Sequence, residues 1–326
     1  MISIGKGVYA RKDIAAQINA AQCIFFDCDG VLVNVAKSYD NTIRKTVDIL
    51  LDRFAGIEKN PIPVTAEIIE AFKASGGFND EIDLTYAVSL CIVAASGDSQ
   101  YVMHVADAAD STGLASVEEY LANVPKVCKL RNKLAYPGDG HGGLVYDIFD
   151  SIFYGSKLYA SMNRDDVGVS QKSGLIDYDK VIMDANLAPN LTTRFGRKPG
   201  IVTGRGMLSI RHTLGRMLDD FDVENSLFLE DEPRKMAKPN PESLVHCMAG
   251  MGIERSIFVG DSIEDLILSQ RALESDKKVT FCGVIGTSLD PQKKLELFED
   301  KGAHMAVDSV LRLPQVLTAG KFSKLS

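Results

Sequence analysis

Short apolar runs, each closed by Asp, Gly or Thr, recur near the start of the chain and through its last third. They are CIFFDCDG (23–30), GIVTGR (200–205), SLFLEDE (226–232), SIFVGDS (256–262) and VTFCGVIG (279–286), with a last one at AHMAVDS (303–309). Continuous apolar runs suit strands covered on both faces, as in a parallel sheet. Helix-period segments separate most of them. MLSIRHTLGRML follows Thr203, and IEDLILSQRAL follows Asp261. Beyond Lys238 lies PESLVHCMAGMG, with Leu244, Cys247 and Met248 on one face. Strand–helix alternation of this kind predicts an α/β fold, a doubly wound parallel-sheet (Rossmann-like) core.

Between the first and second runs the pattern changes. Residues 36–196 show helical periodicity and few strand signals, with helices expected over Ile43–Phe54, Val64–Ala74, Leu84–Ala95, Ser116–Leu130 and Gly143–Ala160. Gly and Pro clusters at 75–77, 137–143 and 199–200 punctuate this stretch. The expected organisation is a core of residues 1–35 plus 197–326, interrupted by an inserted, mostly helical domain. The N-terminal segment reads as a short helix with Ile14, Ile18 and Ala21 on one side.

Composition narrows the function classes. The 326 residues suit about two domains. Hydrophobic residues at 45% and charged residues at 25% are ordinary for a soluble globular chain. Acidic residues exceed basic ones by 44 to 36, giving a net charge of -8, which argues against a nucleic-acid grip through bulk positive charge. No apolar run approaches the ~18 residues of a membrane span, and the N-terminus lacks the apolar stretch of a signal peptide. Cysteines at 23, 28, 91, 128, 247 and 282 form no C-x-x-C pair, so they read as small buried residues in a reducing cytoplasm and not as zinc ligands. Ser323-Lys324-Leu325 is followed by Ser326, so it is no peroxisomal address. His141 falls in the glycine-rich stretch 138–143 and reads as loop. The oligomeric state is unread.

In open α/β sheets, ligands bind beyond the carboxyl ends of the strands. The informative residues are therefore Asp27, Asp29 and Gly30; Thr203 and Gly204; Glu230 and Asp231; Asp261 and Asp265. Asp27 and Asp29 lie two apart, so an extended strand would aim them to one side. A carboxylate can act as a nucleophile, and a second one beside it can protonate a leaving alkoxide and then activate water. Four carboxylates at one mouth would repel unless a cation joined them, and all-oxygen donors favour Mg²⁺. Thr203, opening a helix, offers a hydroxyl and backbone N–H groups to a phosphate. Lys238 would neutralise a transferring group. Taken singly, each has an ordinary reading: a strand-end turn, a β-branched strand residue, a solvated lysine, a helix cap.

Together, and in this order, Asp27-Cys-Asp29-Gly30, Val202-Thr203-Gly204-Arg205, Lys238-Pro239-Asn-Pro-Glu242 and Gly260-Asp261-Ser-Ile-Glu-Asp265 resemble the four motifs of the haloacid dehalogenase superfamily. The resemblance covers the core of about 140 residues. It implies Asp27 as nucleophile and Asp29 as general acid/base. It implies Mg²⁺ held by Asp27, the Asp29 carbonyl and Asp261, with Asp265 a further ligand or an orienter. Thr203 and Lys238 would hold the phosphoryl group, helped by the N–H groups of Gly30 and Gly204. An acid at position 29 is shared by the family's phosphatases and phosphomutases and is not needed by its dehalogenases. The expected reaction is Mg²⁺-dependent hydrolysis of a small phosphorylated metabolite through an aspartyl-phosphate.

The insertion stands where the family's helical caps stand, and the Lys-Pro-x-Pro-Glu form resembles phosphoglycolate-phosphatase-like members. At about 160 residues it is roughly double a usual cap. Its segments 76–85, Phe149–Tyr159 and Ser173–Ile176 resemble a largely prokaryotic branch. Asn79, in the Gly-Gly-Phe-Asn turn, is a candidate substrate contact, or else a helix cap. The basic run Lys126, Lys129, Arg131 and Lys133 would attract an anion or form a solvated face. A phosphomutase or phosphotransferase shares every core residue and stays open, as does a non-catalytic binding protein. A dinucleotide site at Gly204-Arg-Gly206 with Glu224 lacks its third glycine, since Ser209 stands there.

Overall fold

The computed structural model describes residues 1–78, 80–137, 143–162, 164, 167–169 and 171–318. Its strands are β1 (Ile2–Gly5), β2 (Val8–Ala10), β3 (Cys23–Phe26), β4 (Val33–Asn34), β5 (Lys180–Val181), β6 (Gly200–Thr203), β7 (Leu227–Phe228), β8 (Arg255–Gly260), β9 (Lys278–Val284) and β10 (Met305–Val307). Eight of them form one sheet in the order β1-β2-β10-β9-β8-β3-β6-β7. From β10 to β7 the pairing is parallel, and β2 joins β10 antiparallel. After the edge hairpin of β1 and β2, the chain enters the parallel part of the sheet at β3 in the middle, winds outward through β6 and β7, then returns to the other flank through β8, β9 and β10. This is the doubly wound arrangement expected from the apolar runs.

The continuous apolar strands serve two cores at once. Alternate side chains point to opposite faces of a sheet. Accordingly Ile24, Phe26, Ile257 and Val259 belong to one buried cluster, while Cys23, Phe25 and Phe258 belong to another. Helices Glu242–Gly250 and Pro291–Asp300 complete the second cluster through Leu244, Cys247, Met248, Leu295 and Phe298. Helix Met207–Leu214 completes the first through Ile210 and Leu214. Five of the six cysteines are buried and all six are free, as their scatter suggested.

Two compact units make up the chain. One is Met1–Val35 with Lys180–Ser326, and the other is Ala36–Asp179. The return to the first unit comes at residue 180, earlier than the expected 197. β5 pairs with β4, Val33 opposite Val181. The following helix Leu187–Phe195 buries Leu187, Ala188 and Leu191 in the cluster of Ile24 and Phe26. The N-terminal helix is present at Ala15–Ala20, with Ile14 and Ile18 buried, but the β1–β2 hairpin before it was not expected.

The second unit is helical and is built around Glu81–Ala95, which is buried on nearly every side. Asp80 caps this helix, its Oδ1 accepting from the N–H of Ile82 at 2.8 Å. The cap is thus Asp80 and not Asn79, which lies outside the described residues, as does His141. The single helix expected over Ser116–Leu130 is two, Leu114–Tyr120 and Pro125–Leu134. Pro125 has no N–H to continue a helix and holds Val124 extended. Helix Ser99–Ala108, capped by Asp98, was not expected. Helix Leu144–Ser161 kinks at Gly155 (φ 71°), where a Cβ would overlap the backbone of Gly174. Two segments singled out in the sequence therefore meet glycine to glycine. No helix among the described residues is long and apolar enough to cross a membrane.

Candidate active site

β6, β3 and β8 are neighbours in the sheet, so their carboxyl ends deliver the motif residues side by side at the point where the winding reverses. Asp27 follows β3 directly. Its N–H still donates to the Val259 carbonyl at 2.9 Å, so the ladder fixes its backbone. The chain then turns sharply, the N–H groups of Leu32 and Val33 both reaching the Cys28 carbonyl, at 2.8 and 2.9 Å. Gly30 takes φ +70°, and any Cβ there would overlap the Asp261 carboxylate. Only glycine lets the two strand ends approach this closely. The Gly30 N–H donates to the Val33 carbonyl at 2.8 Å, so in this arrangement it is already engaged.

The charges interlock. Lys238, from the loop before helix Glu242–Gly250, has a side chain only 3% exposed and sets its Nζ 3.1 Å from Asp27 Oδ2 and 2.7 Å from Asp265 Oδ1. Asp265 is fully buried and closes a capping box with Ser262. Its Oδ2 accepts from the N–H groups of Asp261 and Ser262, both at 3.1 Å, and from the Ser262 hydroxyl at 2.9 Å. Asp265 is therefore placed to orient Lys238 and the Asp261 backbone. Asp261 pairs with Lys294, Nζ to Oδ2 at 3.0 Å. Thr203, fully buried at the end of β6, accepts from the Arg205 N–H at 3.4 Å. Gly204 beside it is exposed with open space in front of its Cα.

Burial pushes the Asp27 carboxyl up to about 8; Lys238 opposes that rise, and Asp265, Asp29 and Asp261 add to it. Burial also works against the charge on Lys238, but Asp265 and Asp27 together outweigh it and hold its pKa above the ordinary lysine value. Asp27, Asp261 and Asp265 each bring a carboxylate oxygen within 4.8 Å of the others. A set of hard oxygen donors with excess negative charge fits a small divalent cation. Asp27 and Asp261 are the members best able to ligate, since both oxygens of Asp265 are taken.

Two functional-looking residues, Arg205 and Thr287, had no role assigned from the sequence. Arg205, 2% exposed, sets its Nε 2.7 Å from Asp29 Oδ1 and donates from Nη1 to the Thr213 hydroxyl at 3.2 Å. It stood within the second motif but had no role assigned. Thr287 donates to the Gly30 carbonyl at 3.1 Å. Glu230 and Asp231, beyond β7, accept from the N–H groups of Gly206 and Met207 at 3.0 and 2.7 Å. These amides at the start of helix Met207–Leu214 are thus committed to protein carboxylates, not left for a phosphate. Members of the basic run 126–133 make structural contacts. Arg131 pairs with Glu118 at 2.9 Å, and Lys133 donates to the Phe54 carbonyl at 2.7 Å.

No protein-family model matches the chain, and neither does any curated protein sequence. Solved structures do. A structural-genomics X-ray target is 18% identical, covering 91% of this chain and 98% of its own, with a TM-score of 0.62. A phosphatase, Tt82, from Thermococcus thioreducens is 23% identical, covering 86% and 99%, with a TM-score of 0.53. A conserved haloacid dehalogenase-like protein from Agrobacterium tumefaciens is 17% identical, covering 92% and 98%, at 0.49. For the first two, whose TM-scores exceed 0.5, the property shared at such identities is the fold, an α/β Rossmann-like core with a helical insertion.

Proposed function

We propose that this chain, whose haloacid dehalogenase-type fold agrees with the motifs read from its sequence, is a phosphatase acting on a small phosphorylated metabolite. One observation carries the reading: Asp27 is a nearly buried carboxylate (7% exposed) bonded to a buried lysine, with Asp29 two residues on and Asp261 and Asp265 beside it. Three separate chain segments converge to make this, and a merely structural strand end has no use for it.

In this reading Asp27 attacks phosphorus through a carboxylate oxygen. A P–O bond to Asp27 forms as the P–O bond to the leaving alkoxide breaks, and Asp29 gives the alkoxide its proton. Asp29 then takes a proton from water, whose oxygen displaces Asp27 from phosphorus. Arg205 holds Asp29 in place for both transfers. Lys238 and Thr203 hold the phosphoryl oxygens, and Gly204, with open space before it, lets them approach. Asp27 and Asp261 would hold Mg²⁺, which when bound supplies charge neutralisation for a carboxylate meeting a phosphate. The insertion, residues 36–179 by its packing, is the segment assigned to substrate choice.

The test is phosphate release from an aryl phosphate and from a panel of phosphorylated metabolites, with Mg²⁺ and with a chelator. Metal-dependent release from some member supports the reading. A folded protein releasing nothing from any member, with the cation present, removes it.

A further inference from the structure

Among the three clustered carboxylates, Asp27 and Asp265 share Lys238, whereas Asp261 has a cation of its own. Lys294 lies outside all four motifs, on the helix Pro291–Asp300 that follows β9. Its Nζ stands 3.0 Å from Asp261 Oδ2 and 5.9 Å from the centroid of the Phe298 ring, one turn further along the helix. Phe298 is fully buried against Phe281, so the surface over which the lysine lies is fixed. Both partners of the ion pair are largely shielded, at 18% and 25% side-chain exposure. Water therefore screens their charges less than it would on an open surface.

We propose that Lys294 is a resident competitor for the divalent cation: it occupies Asp261 when the cation is absent and lowers the affinity of the site for it. The inference rests on the reading that the carboxylate cluster binds such a cation. Asp265 cannot relieve the competition, because its oxygens are held by Lys238, Ser262 and two backbone N–H groups. A cation bound between Asp27 and Asp261 must therefore share Asp261 with an ammonium a few ångströms away. Like charges at that range, partly out of water, repel. The ammonium also gives Asp261 a defined place before the cation arrives, so the site is organised and weakened by the same side chain.

The test is calorimetric titration of the full chain with Mg²⁺ alone, comparing wild type, Lys294→Met, Lys294→Gln, Lys294→Arg and Asp261→Asn. The two neutral variants should bind Mg²⁺ about tenfold more tightly than wild type, as loss of a nearby like charge requires. Lys294→Arg, which keeps the charge, should stay close to wild type, and Asp261→Asn should lose binding. Far-UV circular dichroism checks that each variant is folded, and either neutral variant suffices. Neutral variants that bind equally or more weakly overturn the competitor role while leaving the cation site intact. Absence of Mg²⁺ binding in wild type and both neutral variants overturns the cation reading and this inference together.

Discussion

Replacing Asp265 by Asn tests how the charged cluster is held. The two residues have nearly the same shape, so packing stays constant and only hydrogen bonding and charge change. In the wild type, Oδ2 accepts from two backbone N–H groups and the Ser262 hydroxyl, and Oδ1 faces Lys238 at 2.7 Å. Asn has one acceptor and one donor group. If its oxygen faces the Ser262 side, its NH₂ confronts the Lys238 ammonium. If the amide flips, the NH₂ confronts three donors. Neither orientation satisfies the site. Removing one partner of a buried ion pair costs about 3–5 kcal/mol, and Lys238 keeps Asp27, which places the loss near the lower end. A domain has only about 5–15 kcal/mol in total. The expected loss is therefore about 3 kcal/mol, read from urea denaturation by far-UV circular dichroism in the transition of the unit 1–35 with 180–326. Ser262→Ala, which removes only the cap, should lose about 1 kcal/mol. An Asp265→Asn loss under about 1 kcal/mol would mean that the buried contacts of this carboxylate do not hold the cluster together.

Other outcomes follow from single contacts. Gly155→Ala should destabilise the helical unit by about 2 kcal/mol or more, since it combines a positive φ with overlap against the Gly174 backbone; thermal unfolding measures it. On the proposed mechanism, Arg205→Met should lower kcat by about 10- to 100-fold and shift its pH profile while Mg²⁺ affinity stays near wild type, because the arginine holds the Asp29 carboxylate and neither the Asp27 nor the Asp261 side chain. Burial, and then nearby Arg11, hold the pKa of His304 below its ordinary 6.5, and its Nδ1 accepts from the Phe281 N–H at 3.1 Å. The unfolded chain then binds the proton more readily, so this contribution to stability is whole above pH 6.5 and is lost as pH falls below it. His304→Asn, which offers an oxygen to the same N–H, should flatten that part of the pH–stability curve.

The chemistry-bearing strands were legible because their physics is local. A run such as CIFFD can be covered on both faces only in the middle of a parallel sheet, and the polar residue that ends it must then lie at the sheet's edge. Asp27, Thr203 and Asp261 are placed by that rule alone. Partners were not legible. Nothing in the helix PQKKLELFED distinguishes Lys294, bonded to Asp261, from its neighbour Lys293, because helical phase and tertiary packing make the choice. Arg205 likewise gains its partner only when β3 and β6 lie side by side. The return of the chain at residue 180 was hidden because β5 is a two-residue strand with no apolar run. The β1–β2 hairpin was missed because all four residues of β1 are exposed and carry no burial pattern, while β2 is only three residues long. Asn79 and Asp80 are both good caps by composition, and it is the Asp80 side chain that accepts from the N–H of Ile82.

In the proposed mechanism Asp27 itself takes the phosphoryl group. The direct measurement of this is phosphate release by Asp27→Asn, with Mg²⁺ present and the folded state verified by circular dichroism, on whichever substrate the wild type turns over. The expected result is a loss of about a thousandfold or more, since an amide cannot serve as the nucleophile. Turnover close to that of the wild type would mean that Asp27 is not the nucleophile.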